Sequence, residues 1–151
     1  MGERLSKEQL TAALVSSIPI VGHMGVTVVD VGPGYAVTRL PLAANGNHYG
    51  VAYAGSLATA AEVLGGVIAG STLDLEGYFP LVRDFSIDFR RPATSDVTAR
   101  ASLDDAEVDR IRVEALTNGK ADFELHATIT DAAGDVVATT TGHYQVRRVV
   151  R

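Results

Sequence analysis

The sequence predicts an α+β domain in which a mainly antiparallel sheet surrounds one buried helix. Three observations carry the prediction. Three segments, beginning at Phe85, Val97 and Ala121, alternate apolar and polar residues with the period of two that a half-buried strand shows. Two further β-rich runs are joined by Gly32-Pro33-Gly34, a hairpin signal. Residues Gly55 to Gly70 are apolar or small on almost every face, a run too long for an ordinary strand. The length of 151 residues fits one domain spanning 1–151, and 46% hydrophobic with 21% charged residues places the chain among globular proteins.

The elements follow in order. Ser6-Lys7-Glu8-Gln9 has capping-box spacing, and Leu5, Leu10, Ala13 and Leu14 suit a short amphipathic helix over about residues 5–16, ending before Ile18-Pro19. Met24–Val31 and Tyr35–Leu42 form the hairpin, and the polar loop Asn45–Gly50 leads into the buried helix. Phe85, Ile87 and Phe89 then alternate with Ser86, Asp88 and Arg90, and Val97, Ala99, Ala101 and Leu103 with Thr98, Arg100 and Ser102. Val108, Ile111 and Ala115 recur at helical spacing in Asp105–Asn118, which ends at Gly119; Ile111, Val113 and Ala115 also fit a strand, and the helix is the reading adopted. Ala121, Phe123, Leu125, Ala127 and Ile129 share one face of a strand, and the turn Asp131–Asp135 leads into a last strand, Val136–Arg147.

Composition excludes several chemistries. The chain has no cysteine, which removes disulfides, thiolate nucleophiles and cysteine metal sites. Net charge is −5, and the basic residues are scattered apart from Arg147, Arg148 and Arg151, so nucleic acid is not an expected partner. The long uncharged runs Gln9–Val29 and Leu40–Ala61 are interrupted by Pro19, or by Pro41 and the polar stretch Asn45–His48, so no bilayer-spanning helix is expected. Glu3, Glu8 and the want of a small-residue cleavage site argue against a signal peptide and for the cytoplasm. Met1–Ser6 matches the myristoylation pattern, which so short a motif also does by chance. Gly65–Thr72 lacks the lysine of a phosphate-binding loop, and His23, His48, His126 and His143 make no metal-ligand spacing, so no metal site is predicted. His126 and His143 fall in the outward phase of their strands, while His48 is either a substrate-orienting or a solvated loop residue.

One carboxylate stands out. Glu62 is the single charge in Gly55–Gly70, and an ionised Glu in an apolar helix must raise its pKa or find partners. Either it reaches solvent or an arginine from the helix edge, or it is functional. Gly65, Gly66 and Gly70 suggest tight wrapping by another backbone or a ligand. Tyr53-Ala54-Gly55 lies where the helix should begin, and its free N–H groups would suit a carbonyl or oxyanion.

The run Asn47–Glu62 resembles the signature region of hot-dog-fold thioesterases. In their phenylacetate-pathway-type branch an Asn precedes a His-Gly-Gly turn, and an acidic residue lies eight positions beyond the first Gly; here Asn47, Ala54 and Glu62 occupy those places without a gap. Phe85–Asp96, with Arg90-Arg91-Pro92-Ala93, resembles the strand and Arg-Pro-Ala turn after the central helix. The likeness covers most of residues 20–149 and looks closest to the YiiD C-terminal-type domain, which shares the helix start Ala54-Gly55-Ser56-Leu57 and the strand start Gly119-Lys120-Ala121.

This resemblance implies a hot-dog fold, and a homodimer or dimer of dimers with sites at the subunit interface. It also implies hydrolysis of an acyl-CoA or acyl-carrier thioester to acid and free thiol, with no metal or redox cofactor and coenzyme A present only as part of the substrate. Asn47 would orient the thioester or the water, the N–H groups of Ala54 and Gly55 would polarise the carbonyl, and Glu62 would be base or nucleophile. Tyr53 and His48 would line the substrate, and Arg90 and Arg91 would contact phosphates unless they pair with Asp88 or Asp96. Tyr53 stands in place of the family's His and Ala54 in place of its first Gly. A hot-dog dehydratase would need a catalytic His where Tyr53 stands. The same departures motivate an alternative, a non-catalytic acyl-CoA or lipid-binding module.

Overall fold

The computed structural model describes residues 3–150, so Gly2 of the myristoylation pattern and Arg151 lie outside it. Helix α1 (Lys7–Ser17) starts with the expected capping box: Ser6 Oγ accepts from Gln9 N at 3.2 Å, and Gln9 Oε1 accepts from Ser6 N at 2.8 Å. A second short helix, α2 (Pro19–His23), follows at once, because proline's fixed φ suits a first helical turn. The hairpin comprises β1 (Thr27–Gly32) and β2 (Tyr35–Leu40). It is shorter than expected at both ends, since Met24 and Gly25 close the turn after α2 and Pro41 has no N–H for the ladder.

The central helix runs from Ala54 to Leu73 in three pieces, not as one α-helix over Gly55–Gly70. These are α3 (Ala54–Glu62), α4 (Leu64–Ile68) and a π-helical turn, Ala69–Leu73. Asp74 in the left-handed region (φ 47°) stops it. Carbonyls at this end are satisfied by Arg112, whose Nε donates to Leu73 O at 3.0 Å and whose Nη2 donates to Thr72 O. By length and hydropathy alone these 20 residues match a membrane-crossing helix, which the interrupted runs in the sequence did not suggest; 67% of the apolar window is buried inside the domain.

The remaining elements are β3 (Tyr78–Phe89), β4 (Val97–Ser102), α5 (Asp105–Asn118), β5 (Lys120–Thr130) and β6 (Val136–Arg148). All six strands form one antiparallel sheet in the order β1-β2-β4-β5-β6-β3, wrapped around the central helix, which is the hot-dog fold. Leu64 and Ile68 of the helix pack in the core with Leu40, Ile111 and Ile129. In α5 the helical spacing prevails: Val108, Ile111 and Ala115 are buried while Val113 is 66% exposed.

Strand β3 departs from the expected alternation. It begins seven residues before Phe85; Phe85 and Ile87 are half-buried, and Phe89 is 50% exposed. The reason is its place at the sheet edge, hydrogen-bonded only to β6 among the described residues. An edge also tolerates Pro80. At the opposite edge α1 lies beside β1, and Thr11 Oγ1 accepts from Val28 N at 2.9 Å.

Candidate active site

The loop before the central helix is fixed by a residue that the sequence did not single out. Asn45 is buried; its Nδ2 donates to Met24 O at 2.7 Å and Pro41 O at 2.8 Å, and its carbonyl accepts from Tyr53 N at 2.7 Å. Asn47, two residues on, spends its Oδ1 on the loop, accepting from Tyr49 N (2.9 Å) and Val51 N (3.3 Å). Its Nδ2 has no protein acceptor among the described residues. Ala52 N donates to Ala93 O at 2.9 Å, which ties the Arg-Pro-Ala turn after β3 to the start of α3.

Tyr53 is the N-cap of α3 without a side-chain cap bond, and its carbonyl accepts from Ser56 N and Leu57 N. The N–H groups of Ala54 and Gly55 have no acceptor among the described residues, which leaves a pair of adjacent donors at the positive end of a helix. The Tyr53 ring lies across Gly55: a Cβ there would stand 2.7 Å from ring carbon Cε1.

Glu62 lies two turns further on. Gly55, Ala58, Thr59, Glu62 and Gly66 are half-buried, whereas the intervening residues from Ser56 to Val67 are buried, so one accessible stripe runs along the helix with Glu62 at its centre. The Glu62 carboxylate makes no hydrogen bond or ion pair among the described residues, and desolvation pushes its pKa above the ordinary value. No arginine pairs with it among the described residues. Tyr144 reaches the same turn: its hydroxyl donates to the Glu62 carbonyl at 2.9 Å, and burial, then the Glu62 charge, hold its own pKa high. Only its inward phase in a strand marked Tyr144 in the sequence. Its ring also occupies the space that a Cβ at Gly65 would need, so of Gly65, Gly66 and Gly70 only Gly65 is closely wrapped.

The other predicted residues lie on the surface. His48 is exposed, its ring against Tyr49 with centroids 4.0 Å apart. Arg90 lies 3.5 Å from Asp88, and Arg91 lies 3.0 Å from Asp135 rather than near Asp96. Asp96 pairs with Arg39 and accepts from Leu42 N at 2.8 Å, and that backbone bond, with the guanidinium, lowers its pKa. Exposed pairs such as those of Arg90 and Arg91 are weak and exchange readily for another anion. His126 and His143 face outward and share Glu124, at 2.7 and 3.0 Å.

A six-stranded antiparallel sheet wrapped around one central helix, together with solved relatives of the same fold, places the chain in the hot-dog-fold thioesterase superfamily. Within it, the chain belongs to the family described as "Domain of unknown function (DUF4442)", which matches residues 6–146. No curated protein matches. Among solved structures, a Pseudomonas aeruginosa protein of unknown function, described as a probable thioesterase, is 35% identical with a TM-score of 0.88, over 97% of this chain and 98% of that one. A Haemophilus influenzae thioesterase shares the fold at 19% identity and a TM-score of 0.78, over 99% and 95%. A thioesterase family protein of Silicibacter pomeroyi does so at 19% and 0.74, over 95% and 100%.

Proposed function

We propose that the protein hydrolyses acyl thioesters of coenzyme A or an acyl carrier. The observation that carries this reading is Glu62, an unpaired, half-buried carboxylate on the same helical stripe as the free N–H of Gly55. Seven residues separate them, roughly 10 Å along the axis. The Glu62 side chain leans back toward the N-terminus, which leaves room for a carbonyl and a water between the donors and the carboxylate. Glu62 therefore acts as base rather than nucleophile. Water gives a proton to Glu62 as its oxygen bonds to the carbonyl carbon, and the N–H groups of Ala54 and Gly55 hold the oxyanion. Collapse then breaks the C–S bond, the proton passes from Glu62 to the leaving sulfur, and acid and free thiol depart. Asn47 Nδ2 orients the water or thioester, and Arg90 and Arg91 at the end of β3 receive the phosphates of coenzyme A. Tyr53 and His48 flank the entrance.

Free thiol released from a panel of acyl-CoAs, read with a disulfide reagent, tests the reaction. Saturable binding with no turnover above buffer would instead support a non-catalytic acyl-CoA or lipid-binding module, which the Tyr53 ring lying over Gly55 favours.

The same reading includes a homodimer or dimer of dimers. Strand β3 offers a 12-residue edge on which Phe79, Leu81, Val82 and Phe89 are 37–50% exposed, and such an edge pairs readily with a second copy. Light scattering at micromolar concentration is expected to show at least a dimer; a strictly monomeric, active protein would contradict it.

A further inference from the structure

Gly66 and Gly70 are glycines that the fold itself does not need. Neither has a positive φ. A Cβ at Gly66 would meet only Pro80 Cγ, at an ordinary 3.8 Å, and one at Gly70 would meet nothing within 4 Å. Glycine inside a helix is less stable than alanine, so two such positions carry a cost that no contact within the chain offsets. Both border a cavity of about 390 Å³ between the end of the central helix and the start of β3, lined also by Ala69, Leu73, Leu75, Pro80 and Val146. Gly66 lies one turn beyond Glu62 on the same stripe, so the cavity begins where the carboxylate ends.

Resting on the thioester reading above, we infer that this cavity receives the acyl tail, and that Gly66 and Gly70 select an unbranched, neutral chain of medium length. From Gly66 to Leu73 the helix advances about 10 Å, longer than one aromatic ring needs. The cavity has the volume of about a dozen waters at roughly 30 Å³ each, which suits a chain of about eight to twelve carbons. Asp74 and Glu76 also line it and disfavour a tail that ends in a carboxylate. The charged part of the substrate lies at the other end, since β3 runs the length of the site from Pro80 beside Gly66 to Arg90, and Ala93 meets the start of α3.

The test compares kcat/KM for decanoyl-CoA, butyryl-CoA and benzoyl-CoA in the wild type, Gly66→Leu and Gly70→Leu, with calorimetric binding of the same three thioesters. The wild type is expected to favour decanoyl-CoA over the other two by roughly tenfold or more, because each buried methylene adds to binding. Either leucine variant is expected to lower the decanoyl-to-butyryl ratio by a similar factor. If the leucine variants do not fold, Gly66→Ala, which the 3.8 Å clearance admits, should melt at a higher temperature and still lower the ratio about twofold. An unchanged ratio in folded variants overturns the inference. So does a wild-type preference for butyryl-CoA or benzoyl-CoA, or loss of the dimer with the ratio intact, which would assign the space to a second copy. A wild type that hydrolyses nothing but binds decanoyl-CoA tenfold more tightly than butyryl-CoA would defeat the catalytic reading and leave this one standing; binding without length preference, or no binding, defeats it.

Discussion

Glu62→Gln is expected to lower turnover by roughly 10²-fold or more while acyl-CoA binding changes little, because the amide keeps the shape of the side chain but not the basic oxygen. The melting temperature should hold or rise. The sign follows from the raised pKa of Glu62: between the ordinary carboxylate value and the folded one, the native state binds more proton than the unfolded chain, so the wild type loses stability as pH rises through that window. A neutral side chain removes that slope. For the same reason the acid limb of the wild-type kcat/KM profile should lie above the usual carboxylate range and be absent from the residual activity of the variant. An ion-paired Glu62 would behave in the opposite way, since its partner would be left uncompensated at a cost of about 3–5 kcal/mol. Near-wild-type turnover with a sharply lower melting temperature would show that Glu62 is structural.

Much of the architecture was legible where a residue's local chemistry and its tertiary setting agree. Ser6 and Gln9 cap α1 as their spacing demands, and β5 buries Ala121 to Ile129 in strict alternation, because one of its faces lies on the core and the other is exposed. Strand β3 was only half legible. Its apolar residues before Phe85 follow no alternation that one buried face would impose, and Pro80 speaks against a strand unless it is known to be an edge. The π turn was hidden for another reason: the carbonyls at its end, of Thr72 and Leu73, are held by Arg112, 39 residues beyond Leu73. At the site, Glu62 was conspicuous as a charge in an apolar run. Asn45 was not, because what distinguishes it from Asn47 is burial against Met24 and Pro41, and a polar loop looks alike in sequence whether it is buried or solvated.

Ala54→Pro is expected to lower kcat by roughly 10²-fold with little change in KM, as the loss of one oxyanion-hole donor does elsewhere. The substitution removes one N–H and little else. Ala54 is the first residue of α3, the position where proline is best tolerated, because its N–H has no helical acceptor and its φ is already suitable. Tyr53 before it has φ −63° and ψ 136°, the extended conformation that a residue preceding proline prefers. The side chain at 54 is exposed, so the ring has room, and the melting temperature should stay near that of the wild type. Only charge that develops on the carbonyl oxygen in the transition state is sensitive to the missing donor, which is why the loss should fall on kcat and not on substrate binding. A folded Ala54→Pro protein with wild-type kcat would move the oxyanion site away from the start of α3 and leave Glu62 without the electrophile it is proposed to serve.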